Sequence, residues 1–112
     1  MEQAELPEEI ARELSEARKA LDDGNAGKAR VCGRRAVGKA FAQSRYSGGI
    51  IKAISSNESL KLISKMEELP ADVRAAARRL STSVTDATSS PVSAEPISDA
   101  LVIVRALLDL RE

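Results

Sequence analysis

Histidine and tryptophan are absent from these 112 residues, cysteine occurs once, and aromatic side chains make up 2% of the chain. Each gap closes off some chemistry. Without histidine there is no imidazole to act as a general base or a metal ligand near neutral pH. A lone cysteine, Cys32, forbids an internal disulfide, so any metal site would have to be built from carboxylates alone. No Asp/Glu-rich ion loop of EF-hand type is present, and the paired acids Glu8-Glu9 and Glu67-Glu68 look like solvated helix ends. No apolar run reaches the roughly 18 residues that a membrane span requires. The first nine residues carry Glu2, Glu5, Glu8 and Glu9, unlike the basic, apolar start of a secretory signal or the acid-poor start of a transit peptide. Together with the single thiol, this leads us to expect a cytoplasmic protein with no membrane partner and no cofactor.

What is present is 43% apolar and 30% charged, with 17 basic and 17 acidic side chains. Enough aliphatic surface is available to offset chain entropy, so the chain is expected to fold as one domain over residues 1–112. The zero net charge hides a division along the sequence. Residues 1–23 hold eight acids and three bases, whereas residues 24–57 hold seven bases and no acid. The basic block either faces the acidic first segment or offers a surface to an anion or an acidic partner.

Hydrophobic periodicity reads as helix throughout. Leu6, Ile10, Leu14, Ala17 and Leu21 form one apolar stripe of a helix over about 7–21, with Pro7 suited to its first position. Asp22-Asp23-Gly24-Asn25 is a stop and turn, with Asn25 placed to cap a second helix over about 26–42. That helix carries a stripe of small residues, Ala29, Gly33, Ala36 and Ala40, which predicts a neighbour at close range. After a break at 43–49, Ser55 and Glu58 resemble a capping box for a helix running to about Leu69. A further helix is expected from 70–72 to about Val84, with Val73, Ala76, Ala77, Leu80 and Val84 inward. A mobile loop is expected over 85–96. The last helix, about 97–110, is apolar on nearly all sides and so is expected at the centre of the bundle or in a dimer interface.

The basic block supplies the candidate binding residues Lys28, Arg30, Arg34, Arg35, Lys39 and Arg45. Arg30 and Arg34 lie one turn apart, while Lys28, Arg35 and Lys39 form a second row. Long cationic side chains on an exposed face can contact phosphates. The aromatic stacking partners of single-strand binders are missing, since Phe41 is expected in the core and only Tyr46 remains. Gly33-Arg34-Arg35-Ala36-Val37-Gly38-Lys39 matches the spacing of a phosphate-binding loop. However, Ala40 replaces the magnesium-binding hydroxyl and no strand precedes the run. Gly24 to Lys28 reads as a turn and cap, although such a helix start can hold an anion. Cys32 has Arg30, Arg34 and Arg35 near it in sequence, which would lower a thiol pKa. With no base beside it, it reads as a small core residue.

The Arg-rich, Ala-rich helix within Ala17 to Ala40, the run Asp72-Val73-Arg74-Ala75-Ala76-Ala77-Arg78-Arg79-Leu80, and the final apolar helix together resemble HEPN-type helical domains. The resemblance implies an all-α antiparallel bundle of about five helices that dimerises. Nuclease members of that group use an Arg-x4-6-His motif, which a chain without histidine lacks. The resemblance therefore implies a non-catalytic module acting by homodimerisation and protein-partner binding. Nucleic-acid or nucleotide-phosphate binding through residues 28–52 is the alternative.

Overall fold

The computed structural model describes residues 6–44, 46, 55–81 and 95–109. These residues form five helices and, among the described residues, no strand: α1 (Glu8–Asp22), α2 (Ala26–Gln43), α3 (Ser56–Ser64), α4 (Ala71–Ser81) and α5 (Pro96–Leu107). The all-α bundle expected from the sequence is the observed fold class.

α1 and α2 make a tight hairpin because the sequence between them completes both helix ends. Gly24 takes φ 79°, a left-handed conformation that glycine adopts without a Cβ penalty. The Asn25 amide then reaches back to the Ala20 carbonyl at 2.7 Å and the Gly24 amide to that of Leu21 at 2.9 Å. This is the paired Schellman termination of a helix. The side chain of Asn25 accepts from the Lys28 amide and starts α2 at once. Pro7 stands one position earlier than expected, as the N-cap of α1, its carbonyl accepting from Ile10 and Ala11.

α3 opens on the capping box foreseen at Ser55 and Glu58, with both reciprocal hydrogen bonds formed. It stops at Ser64 instead of continuing to Leu69. Its last turn tightens, the Lys65 amide donating to the Leu62 carbonyl at 3.0 Å and the Met66 amide to that of Ile63 at 3.1 Å. The chain turns through 65–69 instead, placing Leu69 in the core and leaving Glu67 and Glu68 exposed. α4 buries Val73, Ala76, Ala77 and Leu80 as its stripe predicts, while Val84 lies outside the described residues. α5 begins at Pro96, a residue the sequence reading placed in the loop, because proline at the first helical position forfeits no hydrogen bond. The rest of the 85–96 loop, apart from Glu95, lies outside the described residues. At its other end α5 stops at Leu107, short of the expected Leu110, because Leu108 caps it and Asp109 turns the chain at φ 56°.

The α1–α2 and α3–α4 hairpins are joined by α5, which packs against α2, α4 and, more lightly, α1. One continuous core draws on all five helices, including Ile10, Phe41, Ile63, Leu80 and Ile103, and a smaller cluster of Ala17, Ala20, Ala29 and Cys32 seals α1 to α2. α2 packs against all four other helices. α5 buries one face and leaves Val102 37% exposed.

The small-residue stripe explains the position of α2. Ala29, Gly33, Ala36 and Ala40 are all buried. A Cβ on Gly33 would stand 3.3 Å from the Pro96 carbonyl oxygen and 3.7 Å from both Ala100 Cβ and a Leu80 methyl. Glycine at this position lets α5 and α4 close on α2 together. Gly33→Val should therefore act as a wedge and lower stability in urea by about 1–3 kcal/mol. An unchanged urea midpoint would mean that α5 does not lie against α2 at that point.

Candidate anion-binding surface on α2

At 3.6 residues per turn, the basic residues of α2 do not share a face. Arg30 and Arg34 project on one flank of the buried stripe, and Lys28, Arg35 and Lys39 on the other. The sequence-level rows are real, but the folded helix separates them. Arg45 and Lys52 lie outside the described residues.

The second row runs along α1. Lys39 Nζ meets Glu13 Oε2 at 3.0 Å, and Gln43 donates to Glu9 one turn further on. Nearer the hairpin turn, the Cys32 thiol feels Glu13 and Glu16 from α1 as well as Arg35 and Lys28 from α2. Part of the basic block is thus balanced by the acidic first helix. Lys28 and Arg35 are themselves exposed.

The first row faces α4. Arg34 Nε donates to the Leu80 carbonyl at 2.7 Å. That carbonyl is in the last turn of α4, where backbone acceptors lack an intrahelical partner, so Arg34 caps α4 from outside. Burial, reinforced by the charge of Arg30 beside it, pushes the Arg34 pKa down. Arg34 thus holds the end of α4 at the same level as Gly33 admits the start of α5.

The arginines of α4 are similarly placed. Arg74 Nε donates to the Leu69 carbonyl at 3.1 Å, which fixes the turn entering the helix. Arg79 makes a two-pronged contact with Asp99, Nε at 3.1 Å and Nη2 at 2.8 Å. The hydrogen bond to Asp99 is the main cause that raises the Arg79 pKa, against the opposing effect of burial. Asp99 is among the few buried polar side chains and ties α5 to α4. The sequence gives no sign of this pair, because an acid in the first turn of a helix reads as ordinary dipole complementation. Arg78 is exposed on the outer side of α4.

Cys32 is buried, and burial is the first cause pushing its thiol pKa up, with Glu13 adding to it. Arg30 and Arg34, near it in sequence, are on the other flank. The thiol is a core residue and not an activated nucleophile. The run from Gly33 to Lys39 lies wholly inside α2, where its amides belong to the helix and cannot cradle a phosphate. Among the described residues, no group of three or more Cys, Asp or Glu side chains could hold a metal ion. Among them too, no helix is long and apolar enough to cross a membrane.

No protein-family model, curated protein or solved structure matches this chain.

Two outcomes follow from this geometry. Asp99→Ala should lower stability by about 1–2 kcal/mol, between the values for an exposed and a buried pair because Arg79 is partly solvated. In a double-mutant cycle with Arg79→Ala the two losses should be clearly non-additive, and simple additivity would mean the pair does not couple α4 to α5. Cys32 should resist alkylation at pH 8 in the native protein and react in step with urea unfolding. Its raised pKa also means that the thiol favours the fold below the ordinary thiol range. That contribution fades as pH rises through the folded pKa, because the unfolded thiol ionises first. Rapid labelling without urea would contradict the burial.

Proposed function

We propose that this chain is a small non-catalytic helical interaction module of HEPN-like type, acting in the cytoplasm by dimerisation and by binding a protein partner. The observation that carries this reading is the division of the α2 cations between two flanks. Lys39 pairs with Glu13 and Arg34 caps α4, so much of the basic block serves to hold neighbouring helices. The helix order, with an Arg-rich and Ala-rich α2 and a last apolar helix, is in keeping with the HEPN resemblance. The missing histidine removes the nuclease motif of that group.

A second reading is nucleic-acid or nucleotide-phosphate binding through residues 28–52. The exposure of Lys28 and Arg35 on the α1-facing flank favours it. Phosphate contacts by these side chains would give a steep fall of affinity with salt.

Light scattering across a concentration series, together with fluorescence anisotropy of labelled single-stranded RNA, duplex RNA and duplex DNA at low and near-physiological salt, separates the two. The module reading expects concentration-dependent self-association and no salt-steep binding of any of the three. A monomer at every concentration that binds one of them with a steep salt slope, flattened by Lys28→Ala with Arg35→Ala, would replace it with the second reading.

A further inference from the structure

We draw no further inference here: the strongest candidate, the arginine surface where Arg30 and Arg34 of α2 meet the C-terminal end of α4, already has Arg34 engaged on the Leu80 carbonyl and Arg79 on Asp99, and nothing in the structure shows what covers it.

Discussion

The bundle depends on one helix being thin. α2 touches every other helix, and side-by-side helices ordinarily sit about 8–10 Å apart according to the side chains between them. Along its first half α2 offers Ala29, Cys32, Gly33 and Ala36 to that contact, so α1 and α5 approach on adjoining sides. Further along, Val37 and Phe41 add bulk to the core, while Gly38 admits α3, since a Cβ there would stand 2.7 Å from the Ser56 hydroxyl oxygen. The arrangement costs helix propensity, about 1 kcal/mol for each interior glycine relative to alanine. Burial of larger neighbours offsets that cost. Leu80 and Ile103 are fully buried, and so is Pro96 at the start of α5.

A thin central helix also decides where its charges go. Long cationic side chains cannot enter the small-residue contact, so they emerge along its two edges and reach across to whatever lies beside them. On the α1 edge they meet carboxylates, and the Lys39–Glu13 pair, with Lys39 still 41% exposed, adds at most about 1 kcal/mol. On the α4 edge Arg34 meets a helix end, where a bare carbonyl needs a donor. A hydrogen bond from a charged group at such a site contributes about 1.5–3 kcal/mol. The acid-free block from 24 to 57 thus has a structural use as well as an electrostatic one. The two alternatives read from its charge, an internal partner or an outward-facing surface, meet on the α1 edge, where Lys39 pairs with Glu13 while Lys28 and Arg35 stay exposed.

Local signals in the sequence translate directly into structure where the physics is local. The Gly24-Asn25 termination, the Ser55–Glu58 box and the apolar stripes of α1 and α4 need only their own neighbours to form, and they appear where the pattern places them. What the pattern does not carry is the choice among helices. A helix apolar on nearly all sides reads as central or as part of a dimer interface, and periodicity does not say that α5 packs on α1, α2 and α4, or that the row of small residues lets α2 meet every other helix. The same limit applies to the site. Spacing separates Arg30 and Arg34 from Lys28, Arg35 and Lys39, but not Glu13 from the Leu80 carbonyl as their respective partners. Asp99 is unremarked in sequence because only the fold brings Arg79, twenty positions earlier, to its carboxylate.

The buried polar groups show how the interior is used. Ser44 donates its hydroxyl to the Phe41 carbonyl, Ser59 to the Ser55 carbonyl, and Asp99 is held by Arg79. No buried side-chain nitrogen or oxygen among the described residues is left without a partner. Each of these buried polar groups closes a turn or ties two helices. The exposed side chains lie apart from these groups, with Lys28 and Arg35 on α2, Arg78 on the outer side of α4 and Val102 on α5.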